Sequence, residues 1–388
     1  MNERRRSFGR SRQKSAWVAP QEPLSLSNNE RMIMLLVRRH KTISRAELAR
    51  LTGLALPSVG RLTARLIQLG LLSAGQKVAS GPGQPSLPLS LSTDAVFSAG
   101  LSVTADGLSL AVIGLQGQQV IAKSEPIDAT DKPRLFDRAA TILDELHASG
   151  KVNRERLFGL GVAFSGFFTG GHAELATPVG MDGWALTDLE RAFEDRLGLP
   201  VWIENDGSAA AAGEALYGIG TSVKSFAYIY IDRGLCGGVV VDGKLWRGAN
   251  GNAGEFTGIL PPHLRAERPN LLMLWEIANA AGAKFKSVPE MIEKIDLRSE
   301  AVDRWLEKVS PQMDAIVSAI AATFDPQTIV VGGRLPVGLV NRLIEKTHYY
   351  SVPVRGVDRA YPSISPSSLQ GDAVALGAAS LPFSAHLF

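Results

Sequence analysis

A single cysteine, Cys236, stands in 388 residues, which excludes a disulfide framework or a thiolate metal cluster within one chain and suits a reducing, cytoplasmic setting. Long apolar runs are missing as well. Nowhere do about eighteen consecutive apolar residues occur, the length a membrane helix needs. The run Arg4-Arg5-Arg6-Ser7-Phe8 leads into a polar, proline-containing stretch from Gln13 to Asn29 rather than the apolar core of an export signal. No membrane partner is expected. Acidic residues are scarce at one end only: residues 1–90 hold 15 Lys and Arg against four Glu. The formal net charge of +3 therefore divides into roughly +11 on that segment and roughly −8 on the rest, so one end alone suits a polyanion. With 45% hydrophobic and 20% charged residues, the chain is long enough for two or three domains with a sizeable core.

The basic end has internal order. In Ile43 to Leu72, Ser44 is placed to cap a short helix whose Leu48 and Leu51 face inward, and Gly53 supplies a left-handed turn residue. A second helix begins near Pro57, with Val59, Leu62, Leu66 and Leu69 at inward spacing. Ser58, Gly60, Arg61, Thr63 and Arg65 are left toward solvent or a groove, where short and basic side chains suit base edges and phosphates. A helical hairpin with a solvated basic face would share the pattern. It does not account for Arg31, Arg38, Arg39, Lys41, Arg45 and Arg50 crowded into the same unit.

Residues 1–26 read as a disordered basic arm. A first helix over Asn29 to His40 completes a three-helix unit. The segment Ser73 to Ser90, with Ser80-Gly81-Pro82-Gly83-Gln84-Pro85 and alternating Leu87, Leu89 and Leu91, reads as the hairpin wing of a winged helix, closing a DNA-binding domain over 27–90. From Phe97 strands alternate with helices. Strands are expected at 108–115, 119–124, 158–164, 201–204, 226–232, 237–241 and 328–331. Helices are expected at 134–148, 208–217, 271–281, 288–294, 299–324 and 337–347. The alternation indicates an α/β architecture over 97–388, in two lobes around a cleft.

The ordered motifs Gly159-Leu-Gly-Val-Ala-Phe-Ser-Gly166, Gly183-Trp184, Ile203-Glu-Asn-Asp-Gly-Ser-Ala-Ala-Ala-Ala-Gly-Glu214, Gly234-Leu-Cys-Gly-Gly238, Gly248 to Glu255, and Asp325-Pro326 before Val330-Val-Gly-Gly333 resemble the ROK group of repressors, open reading frames and sugar kinases. The resemblance runs from about residue 27 to the end. It implies an actin-like, ribonuclease-H-like sugar-kinase-type domain behind a winged helix-turn-helix.

What the resemblance implies for the site follows residue by residue. Asp206 matches the general base of the family's kinases and Asn205 their sugar-holding amide, although both residue types also cap helices. Ser165 and Gly166 match the corner lining the sugar pocket, and Glu255 the Glu of the GEIGH motif, whose final His is Gly258 here. Glu276 matches a further sugar-contacting Glu, with an exposed helix acid as the ordinary alternative. The cysteines of the zinc segment are gone and His263 alone cannot hold zinc, so no metal is expected. Val179 stands where an amide is usual, and Gln84 where repressors of this branch carry a wing Arg.

Both phosphate loops depart from the kinase pattern. Ser102 replaces the metal-organising Asp, Thr104 and Ala105 the two glycines, Asp106 a Thr, and Asp232-Arg233-Gly234 a Gly-Thr-Gly. A carboxylate beside a triphosphate is repulsive and added Cβ atoms obstruct close approach, so no productive ATP binding, no catalysis and no cofactor are expected. The reading is a DNA-binding regulator, a repressor of carbohydrate-metabolism genes, acting as a homodimer or homotetramer on an operator and controlled by a sugar or sugar derivative. Arg45, Ser58, Arg61, Thr63, Arg65 and Gln84 are the expected DNA contacts. Ser165, Gly166, Asn205, Asp206, Glu255 and Glu276 are the expected ligand contacts. The alternatives are an active sugar kinase carrying a DNA-binding domain, and a DNA-binding protein whose second domain only oligomerises.

Overall fold

The computed structural model describes residues 25–75, 87–93, 96–152, 156–170, 173–369 and 371–388. Almost all of the expected basic arm, and the wing segment with Gln84, lie outside the described residues. Leu26, assigned by its sequence to the arm, is instead buried. Ser27 beside it forms a reciprocal capping box with Glu30 at the start of α1 (Asn28–His40). Ser44 caps α2 (Arg45–Thr52), which ends on Gly53 at φ 71°. After α3 (Leu56–Gln68), β1 (Leu72–Ala74) pairs antiparallel with β2 (Leu89–Leu91). An Ile43–Leu89 bridge ties the start of α2 to that small sheet.

The inward row of α3 differs from the expected one. Val59, Thr63 and Leu66 are its buried residues and Leu62 packs half-buried against the same core, while Leu69, expected inside, is 39% exposed, as is Leu51 on α2. Thr63 is therefore not a groove-facing residue. Its hydroxyl donates to Val59 O at 2.8 Å and accepts from Arg45 Nε at 2.9 Å, so the polar atom is satisfied within the unit and the methyl packs.

The remaining chain repeats one topology twice. In the first lobe β3 (Phe97–Thr104), β4 (Gly107–Gly114) and β5 (Gln119–Pro126) form a meander, and β6 (Leu157–Phe164) and β9 (Val201–Asn205) add in parallel, giving the order β5-β4-β3-β6-β9. β6 is buried at every residue, as a central parallel strand must be. α4 (Lys132–Ala148) and α5 (Leu189–Leu197) cover this lobe, and a short pair, β7 (Phe167–Phe168) and β8 (Leu175–Ala176), follows β6. In the second lobe β10 (Phe226–Ile231), β11 (Leu235–Val241), β12 (Lys244–Trp246), β13 (Thr328–Gly333) and β14 (Ser363–Pro366) take the equivalent order β12-β11-β10-β13-β14. Its helices are α7 (Leu271–Ala280), α8 (Val288–Lys294), α9 (Glu300–Thr323) and α10 (Val337–Glu345).

Two helices lie against each other between the lobes, α6 (Asp206–Tyr217) and α11 (Ala373–His386). Small residues let them meet: a Cβ on Gly213 would stand 2.9 Å from Gly377 Cα, and one on Gly377 would overlap Ala209 O. A Cβ on Gly161 would likewise overlap Ala378 O, so α11 rests directly on the backbone of β6. At its other end α11 meets α1, where Arg31 Nη1 donates to Ala385 O at 2.9 Å. Among the described residues no helix is long and apolar enough to cross a membrane.

Candidate functional site

The ends of β6, β9 and β10 and the turns after them converge on a cavity of about 540 Å³ between the lobes, the crevice beyond strand carboxyl ends where α/β folds place ligands. β6 ends at Ser165-Gly166, and Gly166 has φ 138°, with Ala176 O only 2.5 Å from where a Cβ would fall. A side chain there would be strained and obstructed at once.

β9 delivers Asn205 and Asp206 to the start of α6. Asp206 lines the cavity and is 8% exposed. Its Oδ2 accepts from Ser165 Oγ at 2.7 Å, and its Oδ1 from Gly207 N at 2.9 Å and Cys236 Sγ at 3.0 Å. Burial pushes its carboxyl above the ordinary range against those donors. Glu255, in the loop before the 3-10 turn Phe256–Ile259, is pushed up to about 7 by burial and by the nearby Asp206 charge, with the Asn205 bond opposing. Such a pair accepts hydrogen bonds from hydroxyls, and near neutral pH Glu255 also donates through its protonated form.

Asn205 acts differently from expectation. Its Oδ1 accepts from Ser208 N at 2.7 Å, capping α6, and its Nδ2 donates to Glu255 Oε1 at 2.9 Å. It is 1% exposed and does not line the cavity, so both polar ends are committed to capping the helix and orienting Glu255. Glu276 is a plainer correction. It lies exposed on α7, one turn past Leu272, and only Leu272 reaches the cavity wall. Val179 is on the rim, 94% exposed.

At the opposite end, turns from the two lobes meet. Arg233 Nη2 in the β10–β11 turn lies 2.6 Å from Asp106 Oδ1 in the β3–β4 turn. Arg334 Nη1, just after β13, is 3.5 Å from Asp232 Oδ2 and 3.8 Å from Asp106 Oδ2. Burial lifts Asp232 to about 6; Arg334 opposes that shift, and Asp206 and Asp106 add to it. Thr104 and Ala105 line the same end. Arg334 and Arg268 were not anticipated, because no motif marks Arg268 and Arg334 merely follows the Gly332-Gly333 signpost. Cys236 was noted only for its rarity, yet it is an Asp206 partner.

The basic amino-terminal unit presents a second surface. On α3, Arg61 and Arg65 are exposed and Ser58 half-buried, with Arg45 of α2 held beside them through Thr63. Arg65 is not free: its Nη1 is 2.5 Å from Glu30 Oε1. α1 also grips the far end of α6, where Arg38 Nη1 donates to Leu216 O and, at 3.3 Å, to Ala215 O. The Arg38 guanidinium also sits 5.2 Å over the Phe388 ring.

Comparison with known proteins agrees with this architecture. Residues 99–268 match the ROK family. Over 365 residues the chain is 32% identical to the uncharacterized protein y4fQ of Sinorhizobium fredii, covering 92% of this chain and 91% of that one. It is 24% identical to the xylose repressor of Bacillus spizizenii over 373 residues, covering 91% and 94%. Among solved structures, a ROK family transcriptional regulator, a homologue of the E. coli Mlc protein, superposes with TM-score 0.61 at 19% identity over 92% of this chain and 96% of that one. A ROK family glucokinase from Streptomyces griseus, in complex with glucose and AMPPNP, gives 0.59 at 22% identity over 74% and 98%.

Proposed function

The chain belongs to the ROK family, and on that premise we propose that it is a cytoplasmic DNA-binding transcriptional repressor of carbohydrate-metabolism genes. A sugar or sugar derivative in the interlobe cavity controls it, and it works as a homodimer or homotetramer on a palindromic operator. The observation that carries this reading is the placement of α6. Its first residue, Asp206, lines the cavity, and the carbonyls of its last turn hold Arg38 of α1, the first helix of the DNA-binding unit.

A twelve-residue helix spans roughly 18 Å and moves as a rigid body. A ligand that draws Asp206 and Glu255 together with the first lobe shifts α6, and Arg38 carries the shift to α1. The two winged helices of an oligomer are then repositioned against their half-sites. Base contact falls to the exposed face of α3, with Arg61 and Ser58 foremost, Arg45 of α2 beside them and Gln84 at the wing.

Phosphoryl transfer is absent from this reading. Arg233 and Asp106 occupy each other where phosphate loops would have to open for a triphosphate, and the carboxylates of Asp106 and Asp232 repel its charge. Asp206 then holds a ligand hydroxyl that has no phosphoryl donor to attack. The kinase reading draws on the same Asp206, which keeps its place at the cavity wall.

The deciding experiment titrates a duplex from the gene's own upstream region with the full chain, with and without a panel of sugars, sugar phosphates and polyols. A ligand that changes duplex affinity by about 5- to 150-fold supports the regulator. Binding of DNA with no effect of any ligand, and no thermal stabilisation by any of them, favours a second domain that only oligomerises. ATP-dependent turnover of a hexose that disappears in Asp206→Asn establishes the kinase instead.

A further inference from the structure

A guanidinium without a counter-charge faces the cavity. Arg268 follows the 3-10 turn Pro262–Glu267 and lines the cavity wall. Its Nη1 donates to Arg265 O at 2.5 Å, but its Nε is buried without a hydrogen-bond partner, and no carboxylate among the described residues is within ion-pair distance. Burial alone lowers its affinity for its proton, with no acid opposing. Its Nη2 lies 3.7 Å from where a Cβ on Gly234 would stand, so the glycine keeps the space beside it open. Arg233, next to that glycine, also lines the cavity, and its Nε too is buried and unpartnered. Arg233 is matched by Asp106 through Nη2, so Arg268 is the cation at this wall without a counter-charge among the described residues, and leaving a part-buried cation unmatched is unfavourable unless something anionic arrives.

Asp232 lines the guanidinium end too, but it faces Arg334, and Asp106 faces Arg233, so neither carboxylate is an ion-pair partner of Arg268. One cavity offers hydroxyl acceptors on Asp206 and Glu255 and an uncompensated guanidinium on Arg268. We propose that the effector is an anionic sugar, its hydroxyls on Asp206 and Glu255 and its single phosphate or carboxylate group on Arg268, a smaller charge than the triphosphate that Asp106 and Asp232 repel. The bidentate donor geometry of arginine suits both oxyanions. This rests on the sensor reading above and narrows its ligand class.

The test is calorimetry and thermal shift on the full chain with matched probes: glucose, glucose 6-phosphate, glucuronate, gluconate, the corresponding N-acetylglucosamine pair, and inorganic phosphate. At least one anionic sugar should bind about tenfold or more tightly than its neutral parent. Arg268→Gln should remove that advantage while leaving the neutral parent within about twofold, and Arg268→Lys should keep part of it. Phosphate esters outranking the acids identify phosphate as the seated group, and the reverse order identifies carboxylate. Inorganic phosphate should raise the melting temperature of the wild-type chain and not of Arg268→Gln. A neutral sugar binding more tightly than its anionic counterparts, or Arg268→Gln weakening both equally, overturns the proposal and leaves the sensor reading standing. No binding of any sugar, charged or neutral, removes both.

Discussion

Replacing Arg65 and Arg61 separately by Ala should divide the two exposed arginines of α3 into a structural residue and a DNA contact. Arg65 Nη1 is 2.5 Å from Glu30 Oε1, with the glutamate side chain 1% exposed and the arginine 52%. Removing the cation from a wholly buried pair costs about 3–5 kcal/mol. Water screens the arginine here, and Glu30 Oε2 keeps the donors Ser27 N at 2.8 Å and Ser27 Oγ at 2.7 Å. Arg65→Ala should therefore lose about 1–2 kcal/mol. Burial pushes the Glu30 carboxyl up, yet the Ser27 bonds and Arg65 bring it below its ordinary value of 4.5. A depressed carboxyl stabilises the fold above its unfolded value and loses that contribution as pH falls through the folded one. The gap between wild type and Arg65→Ala should thus close in acid, below about pH 4.5. Arg61 is exposed and has no bonded partner among the described residues. Arg61→Ala should leave stability within about 0.5 kcal/mol, weaken duplex binding about tenfold and reduce the salt slope by about 1. Hydrogen exchange over α1 and α3 reads the stability, and duplex titrations at three salt concentrations read the binding. Unchanged exchange in Arg65→Ala, with a loss of DNA affinity equal to that of Arg61→Ala, would refute the assignment.

Arg38→Met should keep effector affinity within about threefold while reducing the effector's influence on duplex affinity, since the grip on Leu216 O and Ala215 O is lost; an unchanged ratio of duplex affinities with and without effector excludes α6 as the connection. Glu255 has its carboxyl raised to about 7, so its ionisation destabilises the fold: stability from this group is fullest below pH 4.5 and is lost as pH rises through about 7. Glu255→Gln should accordingly raise the melting temperature at pH 8 and flatten its pH dependence, whereas a lowered value at pH 8 would count against the assignment. Gly161→Ala sets a Cβ onto Ala378 O and should cost more than about 3 kcal/mol in thermal or urea unfolding, because two backbones must separate; a loss under 1 kcal/mol would mean that α11 does not rest on β6.

Elements with a one-sided or continuous apolar pattern were legible in the sequence. The central strands β6 and β10 and the helix α8 fall where the pattern puts them, within a residue at each end. α11 was not legible, because AVALGAASLPFSAH is apolar on nearly every side and contains Pro382; a helix enclosed by both lobes has no polar face to set its period. α5 is another matter. Asp188, the Leu189, Phe193, Leu197 spacing and Gly198 at φ 67° give it an ordinary start, face and stop. On α3 Leu62 packs half-buried against the core as its spacing has it, whereas the burial of the polar Thr63 beside it is matched by Arg45, a partner eighteen residues away that periodicity cannot supply.

The site divides along the same line. Residues fixed by backbone position were within reach of sequence reasoning: Gly166 needs φ 138° beside Ala176, and Ser165, Asp206 and Glu255 meet at the ends of recognisable elements. Residues whose role depends on which way a side chain turns were not. Asn205 sits at the expected position, but its amide is used up between Ser208 N and Glu255, and Glu276 is on the expected helix with its carboxylate in solvent. The altered phosphate turns show the limit most clearly. Substitution of Asp106 and Arg233 reads as a loss when each is compared with a phosphate loop, yet in three dimensions they form a pair 2.6 Å apart that joins the lobes. A change that removes one ligand's site can supply a contact, and only the distance between two turns 127 positions apart in sequence distinguishes decay from replacement.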